Sequence, residues 1–436
     1  MKKILGLSLV AATVLVGTMN AADEAGLSGD VRAMMHHGGQ SYGKKADSSA
    51  TAVSVASNIV YSSEKKNGMK FNIGFSVQGN VLDIGVENGQ NSADEQSIDD
   101  NFINNILNAE IDTNAGTLIV GRQILDTPMA GPDDSRLVPD TFEAMTLVNT
   151  TAVADVTLIA SQVTAMAGWD SPSLSTYTSM TSQLGTATEA NGVTVLAAIY
   201  GKDALSASIY SYNIFNTTDT SGTTELNPIS LNYLDAGYAL DMGGMKINLA
   251  GQFEFLSATQ TSSTAGVKDV DLGYTVFGAQ ADLALDMGLT LTGAFNSVTA
   301  NDDFDRDTTG VEPLFNPILH ANWGGYPEYA MADEFWTSSF NNAEFTVMKL
   351  GAGYAMGDLE VGAAVVIYSG DDKKGTMKGA NILDLTASYK EYSFVLENQD
   401  IEMSAAGTDP DLFLTRILHT EVYLNWDLHH VGLVWV

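Results

Sequence analysis

Carboxylates crowd into one stretch of the sequence, residues 121–144, which reads GRQILDTPMAGPDDSRLVPDTFEA. Its charged side chains are Arg122, Asp126, Asp133, Asp134, Arg136, Asp140 and Glu143. Three prolines, Pro128, Pro132 and Pro139, exclude both a central strand and an unbroken helix, so the stretch contains a long loop. Loops of this length in compact folds are usually functional, although a charged loop can also simply lie in solvent. In a narrow aqueous passage, these carboxylates would attract cations.

The composition limits the class of protein. The chain has 436 residues, with 20 Lys and Arg against 53 Asp and Glu, and its formal net charge is −33. Such an acidic chain repels phosphates, which argues against nucleic acid as a partner, and attracts cationic partners. An apolar content of 45% is too high for a disordered acidic chain. The sequence contains no cysteine, which excludes a disulfide framework.

The first 22 residues have the pattern of a secretory signal peptide. Lys2 and Lys3 precede an uncharged run at 4–18, and the small residues Ala21 and Ala22 follow. Residues 23–436 are then predicted to form one domain. No later uncharged apolar stretch reaches the roughly 20 residues that a membrane helix needs. A membrane β-barrel is still allowed, because its apolar residues occupy only every second position.

Alternation of apolar and polar residues predicts strands. Phe71, Ile73 and Val77 share one face of such a segment, whereas Asn72 and Gln78 lie on the other. The same period of two recurs at 245–255, 289–296, 359–368 and 392–397. A soluble β-sandwich alternates in the same way, so this pattern alone does not decide between a sandwich and a barrel.

The lengths of the connections favour the barrel. Eight tight turns are predicted at 64–68, 114–116, 152–155, 201–204, 242–244, 287–288, 357–358 and 390–391, and they alternate with about nine long polar loops. We therefore predict an all-β, transmembrane antiparallel β-barrel of about 18 strands, with short periplasmic turns and long extracellular loops. Tyrosines near the predicted strand ends, including Tyr210, Tyr212, Tyr238 and Tyr389, fit interfacial girdles.

Two segments resemble the OprD-like outer-membrane porin family. Residues 121–144 resemble its constriction-loop signature, and residues 323–335 (WGGYPEYAMADEF) resemble a Gly-rich acidic segment of a later loop. The resemblance implies an 18-stranded and often trimeric barrel in the outer membrane of a Gram-negative bacterium, in contact with the lipid bilayer and lipopolysaccharide. It also implies that loops 123–142 and 300–342 narrow the pore.

Some members of that family carry a ladder of inward arginines that guides carboxylate-bearing substrates. The present sequence departs from this pattern, because it has only five arginines, Arg32, Arg122, Arg136, Arg306 and Arg416. A full ladder cannot be built from them, which argues against selectivity for amino acids or organic acids.

The alternation also predicts which carboxylates line the pore. If the apolar face contacts lipid, the inward acids are Glu110, Asp112, Asp235, Glu254, Glu360, Asp384 and Glu397. Together with the acidic loop, they predict a passive, cation-preferring channel for small hydrophilic or cationic solutes. The residues predicted to form its constriction are Arg122, Asp126, Asp133, Asp134, Arg136, Asp140 and Glu143. The alternatives are a substrate-specific channel for amino acids or organic acids, and a structural or adhesin barrel. The loop aspartates could instead pair with Arg122 and Arg136 and only pin the loop.

Metal and enzyme chemistry are only weakly indicated. Asp303, Asp305 and Asp307 have the spacing of calcium ligands, but Thr308 and Leu314 replace the glycine and the glutamate of a calcium-binding loop. Loose Ca²⁺ binding by these aspartates is the one metal hypothesis, and no cofactor is expected. No spacing of Ser and His residues singles out a catalytic set, so the sequence does not predict an enzyme.

Overall fold

The computed structural model describes residues 25–42, 48–84, 101–128, 130–132, 137–168, 176–180, 186–188, 192–214, 217–219, 224–262, 270–271, 273–300, 345–370, 377–389, 392–403 and 414–427. This part of the chain contains eighteen strands of eight or more residues. The first seven are β1 (Gly26–Tyr42), β2 (Ser48–Ser62), β3 (Met69–Ile84), β4 (Asn101–Thr113), β5 (Gly116–Gln123), β6 (Thr141–Asn149) and β7 (Val156–Ala167). The others are Val193–Lys202, Leu205–Ile214, Thr224–Asp241, Met245–Ser262, Tyr274–Leu285, Leu289–Ala300, Phe345–Met356, Leu359–Gly370, Met377–Tyr389, Tyr392–Met403 and Leu414–Asp427.

Each long strand pairs antiparallel with the next one along the chain. The last strand, Leu414–Asp427, returns to β1 and pairs with it from Asp30↔Asp427 to Tyr42↔Thr415. The pairings therefore close into a ring in which no long strand is left as an edge, as a barrel in lipid requires. The predicted antiparallel barrel of about 18 strands is confirmed.

The two faces of the strands differ as the alternation predicted. Phe71 is 57% exposed and Val77 is 51% exposed, whereas Asn72 and Gln78 on the opposite face are buried. In Met245–Ser262, Leu249 and Phe253 are likewise exposed, whereas Gln252 on the opposite face is buried. The outer face is therefore apolar and the inner face polar, which is the inverse of a soluble barrel.

Tight turns and long connections alternate around the ring, and local sequence explains the turns. Between β2 and β3, Asn67 and Gly68 have φ angles of 54° and 75°. This Asn-Gly pair suits a tight hairpin turn, because both residues tolerate positive φ. The strands extend further than the sequence predicted, since β3 runs to Ile84 and Met245–Ser262 continues past residue 257.

Tyrosines at the turn end of the barrel form part of the expected girdle. Tyr61, Tyr238, Tyr354 and Tyr389 are exposed and lie within a few residues of tight turns. For Tyr210 and Tyr212 the girdle prediction is wrong, because both are buried on the inner face of Leu205–Ile214. In the part of the chain described here, no helix is long and apolar enough to cross a membrane.

Candidate functional site

The acidic, proline-rich segment connects β5 to β6 and lies against the inner wall of the barrel. We call residues 124–140 the constriction loop; Met129 and residues 133–136 lie outside the described part. Leu125, Ala130, Leu137 and Val138 are almost completely buried. Leu137 and Val138 form one apolar cluster with Ala56 of β2, Ile103 of β4 and Ala167 of β7. Burial of these side chains accounts for the folding of a charged loop onto the wall.

A tight turn shapes the first half of the constriction loop. The backbone N–H groups of Thr127 and Ala130 each donate to the carbonyl of the other, at 3.0 and 3.2 Å. Pro128 follows Thr127, and its fixed φ suits the second position of such a turn. The hydroxyl of Thr127 also donates to the Ala130 carbonyl at 3.1 Å. The prolines that exclude a strand here therefore help to define a compact bend.

Asn58 of β2 anchors the second half of the loop to the wall. Its amide donates to the Leu137 carbonyl at 3.0 Å and to Asp30 of β1 at 2.6 Å. Its side-chain oxygen accepts from the hydroxyl of Ser76 on β3, which in turn accepts from Asn105 of β4 at 2.6 Å. This buried network joins four neighbouring strands to one loop carbonyl, so it positions the loop with little freedom.

Asp140 lies at the end of the loop and is completely buried. Its backbone N–H donates to the Pro132 carbonyl at 2.7 Å, which connects two residues on either side of the undescribed range 133–136. Gly168, with a φ of 139°, packs directly against the Asp140 carboxylate, and a Cβ at this position would overlap Asp140 Oδ1. Asp140 is thus packed into the base of the loop, whereas the sequence predicted it in the constriction.

Asp126 of the constriction loop lies near the wall formed by Leu205–Ile214. It is half-buried and lies within electrostatic range of the Tyr210 hydroxyl, as does Asp235 of Thr224–Asp241. Tyr210 stacks with Tyr212 at 6.3 Å between ring centres and packs against Tyr233 at 6.2 Å. The constriction loop therefore extends from β2 and β4 on one side to the tyrosine-rich wall of Leu205–Ile214 on the other.

Arg122 and Glu143 form an ion pair at 3.0 Å between Nε and Oε1. In the register, Arg122 lies opposite Leu107 of β4 and Glu143 of β6. Leu107 is 52% exposed, and the residues two positions away on the same face, Val120 and Met145, are 41% and 53% exposed. The two charged residues therefore share the apolar outer face, at the base of the loop, and do not lie in the constriction that the sequence predicted for them.

Tyr177 covers this ion pair and was not singled out by the sequence. It comes from the connection between β7 and Val193–Lys202, and its ring centre lies 4.2 Å from the guanidinium carbon of Arg122. Its hydroxyl donates to the Asn105 carbonyl at 3.0 Å and lies 2.7 Å from Thr141 Oγ1. Burial raises the pKa of Tyr177 to about 12, although Thr141 and Arg122 oppose the rise. The phenol is therefore a neutral donor at physiological pH.

The wall carboxylates lie mainly on the inner face. Glu110, Asp235, Glu254, Glu360 and Asp384 share the face of the buried polar residues in their strands. Glu110 accepts from the amide of Asn72 at 2.7 Å. Asp112 has the same parity but lies at the turn end, where it pairs with Lys65 at 2.8 Å. Glu397 is placed on Tyr392–Met403, but its side chain lies outside the described part, as do Asp133, Asp134 and Arg136.

Further charged residues on the inner face were missed by the sequence analysis. They include Asp30 and Arg32 of β1, Lys70 of β3, Asp282 of Tyr274–Leu285 and Lys349 of Phe345–Met356. Arg32 pairs with Asp30 at 3.1 Å, and Asp282 accepts from Gln280 and Thr292, both at 2.8 Å. Counting alternate positions along each strand would have placed all five on the inner face, because the residues directly before and after each of them are small or apolar.

The calcium hypothesis falls on residues that the structure does not describe, since Asp303, Asp305 and Asp307 lie within 301–344. Among the described residues, no group of three or more His, Asp or Glu side chains could hold a metal ion. The second predicted constriction loop, 300–342, lies in the same undescribed range apart from Ala300.

Comparison with known proteins gives a family and a fold. A family model described as outer membrane porin, OprD family, matches residues 71–344. No curated protein matches the chain. Among solved structures, OccK8 (OprE) of Pseudomonas aeruginosa has 12% identity and a TM-score of 0.62, and the match covers 92% of this chain and 98% of that one. OccAB1 of Acinetobacter baumannii has 12% identity and a TM-score of 0.61, over 92% and 97% of the two chains. At these identities the structures share the fold alone.

Proposed function

This chain belongs to the OprD family of outer membrane porins, and on that basis we propose that it is a passive diffusion channel that prefers cations. As a member of this family, it is located in the outer membrane of a Gram-negative bacterium. The solutes would be small and hydrophilic, and those with a positive charge would pass most readily. The barrel would act as a conduit without catalytic residues.

The charge of the inner wall is the observation that carries this proposal. Within the described side chains of the long strands, the inward acids are Asp30, Glu110, Asp112, Asp235, Asp241, Glu254, Asp282, Glu360 and Asp384. The inward bases are Arg32, Lys70, Lys246 and Lys349. Acids thus outnumber bases, and Arg32 is paired with Asp30 at 3.1 Å. Carboxylates around a narrow aqueous passage favour cations, because the low-dielectric wall focuses their field.

The arrangement of arginines weighs against a channel for organic acids or amino acids recognised by their carboxylates. Such a substrate would need several unpaired guanidinium groups in succession. Arg122 lies on the outer face with Glu143, and Arg32 is held by Asp30. The side chains of Arg136, Arg306 and Arg416 lie outside the described part. Lys70 is 1% exposed, so it offers little surface to a passing anion, just as Glu254 (0%) and Asp384 (4%) offer little to a passing cation.

Recordings in planar bilayers under a potassium chloride gradient test the proposal. The native protein should give stepwise channels whose reversal potential has the sign of cation preference. A reversal potential of the opposite sign would favour the organic-acid alternative. Well-folded protein that gives no current would favour a structural or adhesin barrel. Replacing potassium with a large organic cation would then set an upper limit on solute size.

The same proposal includes an oligomeric state, the contacts of the outer face and a signal peptide. A trimer is proposed because the family resemblance implies it, and crosslinking in native membranes would test it. Lipid and lipopolysaccharide would contact the apolar outer face. Residues 1–22 are proposed to be a cleaved signal peptide, which the N-terminal sequence of the mature protein would establish.

A further inference from the structure

The wall of the barrel is incomplete beside the constriction loop. β5, with 8 residues, is the shortest of the eighteen long strands in the described part. Its register with β4 ends at Leu107↔Arg122, and its register with β6 ends at Gln123↔Phe142. β4 continues six residues further, to Asn101, and there its partner is β3. Above β5, no strand of the described part therefore lies beside β4 on this side, since β6 begins at Thr141, only one residue beyond Phe142. A longer β5 would occupy that place.

Two side chains occupy this place. Arg122 donates from Nη1 to the Asn104 carbonyl at 3.2 Å and to the Asn104 side-chain oxygen at 3.3 Å. Tyr177 donates to the Asn105 carbonyl, the next one along β4, at 3.0 Å. These side chains donate to two backbone carbonyls of β4, those of Asn104 and Asn105, which are thereby satisfied where no β5 residue lies beside them.

Tyr177 also contacts both ends of the constriction loop. Its ring lies 4.2 Å above the guanidinium of Arg122, two residues before the loop begins. Its hydroxyl lies 2.7 Å from Oγ1 of Thr141, the first residue after the loop. The ring further packs against the apolar cluster that contains Leu137 and Val138 of the loop itself. One side chain from a different connection thus links the start, the end and the packed part of the loop.

We propose that Tyr177 is a positioning residue for the channel: it holds both ends of the constriction loop at fixed places in the wall and thereby sets the width of the passage. In this role it acts through Arg122 and Thr141 and not through contact with the solute. The inference rests on the proposed channel function. A neutral phenol suits this role, because it donates to one backbone carbonyl while its ring face attracts the cation of Arg122.

A purely structural role for Tyr177 would predict a different effect of its loss on the channel. If Tyr177 only filled the gap, its loss would destabilise the barrel and leave the open channel unchanged. If it positions the loop, its loss would change the open channel even in variants that fold fully. The two roles are separated by measuring channel behaviour and folding in the same variants.

The experiment compares Tyr177→Phe, Tyr177→Leu and the control Tyr238→Phe in single-channel recordings. Tyr177→Phe keeps the ring over Arg122 and removes the hydroxyl bonds, whereas Tyr177→Leu removes both. Tyr238 is an exposed tyrosine at the turn end of the barrel, remote from the loop. Folding is followed in parallel by heat-modifiable gel migration, and cation preference by the reversal potential.

We expect Tyr177→Phe to increase the occupancy of partly closed levels about tenfold, the size of effect that the loss of one or two hydrogen bonds gives. Tyr177→Leu should increase it further and also shift the reversal potential, while Tyr238→Phe matches the native channel. Native-like recordings from both folded Tyr177 variants would overturn the inference and leave the porin function intact. So would variants whose only defect is a smaller folded fraction. A native protein without conductance would overturn both proposals.

Discussion

The guanidinium carbon of Arg122 lies 4.2 Å from the ring centre of Tyr177, although the two residues belong to different connections of the barrel. The same guanidinium donates to Glu143 at 3.0 Å and to the backbone of β4. An arginine that the sequence suggests for a pore constriction thus works as a structural donor at the base of the loop. Its charge is balanced locally by Glu143, which leaves the inner wall with a surplus of acids.

Replacing Arg122 with Gln should weaken the base of the loop more than loss of the ion pair alone would suggest. The pair with Glu143 is partly exposed, with side-chain exposures of 32% and 38%, so it contributes only about 0.5 kcal/mol. The cation–π contact and the bonds to Asn104 add about 1 kcal/mol. Denaturant unfolding in detergent should therefore show Arg122→Gln less stable than Glu143→Gln. Equal losses for the two variants would show that the ion pair dominates.

The stability of the protein at alkaline pH should depend on the buried phenol of Tyr177. Its pKa is raised to about 12 in the folded protein, compared with an ordinary value of 10.0. Between these values the unfolded chain releases this proton and the folded chain keeps it, so stability falls as pH rises. Relative to Tyr177→Phe, the native protein should lose about 2 kcal/mol between pH 9 and 12. Unfolding curves at a series of pH values measure this. A native-to-variant difference that stays constant across the range would contradict it.

The fold could be predicted from sequence because the lipid-facing side of each strand must be apolar. Phe71, Ile73 and Val77 alternate with polar neighbours for this reason, and the tight turns follow from local residues such as Asn67 and Gly68. Strand length was harder to predict. The strands continue into polar segments where alternation fades, as at the end of Met245–Ser262.

The site was predicted less completely, because its contacts are not periodic. Arg122 lies at the end of a strand of 8 residues, in which Leu118, Ile119 and Val120 are apolar in succession, so the sequence shows no alternation from which to assign its face. Tyr177 contacts Arg122 across a long separation in sequence, and no local signal indicates such a pair. The inward position of Tyr210 and Tyr212 could have been predicted from the alternation of their strand. Leu205 and Ile209 occupy the outer face. The two tyrosines lie at the alternate positions, together with the small polar residues Ser206 and Ser208.

Loss of the Asn58 anchor should affect both stability and conductance. Asn58→Ala removes the bonds to Asp30 and to the Leu137 carbonyl, and it deprives the buried Ser76 hydroxyl of its acceptor. Leaving buried polar groups unpaired should cost about 3 kcal/mol in total. Because the loop is then held less firmly, the open-channel current should also become noisier.

Asn213→Ala is the matched control for Asn58→Ala. Asn213 also makes two side-chain hydrogen bonds, with Ser211 and Ser230 at 2.9 and 3.0 Å, but it lies on the outer face. Its loss should lower stability by about 1 kcal/mol and leave the current trace unchanged. If the two variants gave equally noisy channels, the noise would reflect general destabilisation and the anchoring role of Asn58 would be rejected.

A methyl group at Gly168 should disturb the base of the constriction loop. The backbone there has a φ of 139°, and an added Cβ would overlap the carboxylate and the Cα of the buried Asp140. Gly168→Ala should therefore reduce the heat-modifiable, folded fraction in gels. Gly243→Ala provides the control, because Gly243 also has a positive φ, of 65°, but has no atom within 4 Å of an added Cβ. Equal folding of the two variants would mean that backbone strain, and not the contact with Asp140, limits position 168.

Cation preference should depend on where a carboxylate points and not on the total charge of the protein. Asp282 and Glu360 lie on the inner face, whereas Asp286 and Asp358 are exposed in the neighbouring tight turns. The double variant Asp282→Asn/Glu360→Gln and the double control Asp286→Asn/Asp358→Asn change the net charge equally.

At a distance of about 8 Å through water, one charge alters the local energy of an ion by about 0.5 kcal/mol, which is roughly twofold in permeability. The inner-face variant should therefore lower the ratio of cation to anion permeability by about two- to fourfold, with a larger effect at low salt because screening is weaker. The control should keep the native reversal potential. Equal shifts in the two variants would show that the overall charge of the protein, and not the inner wall, sets the selectivity.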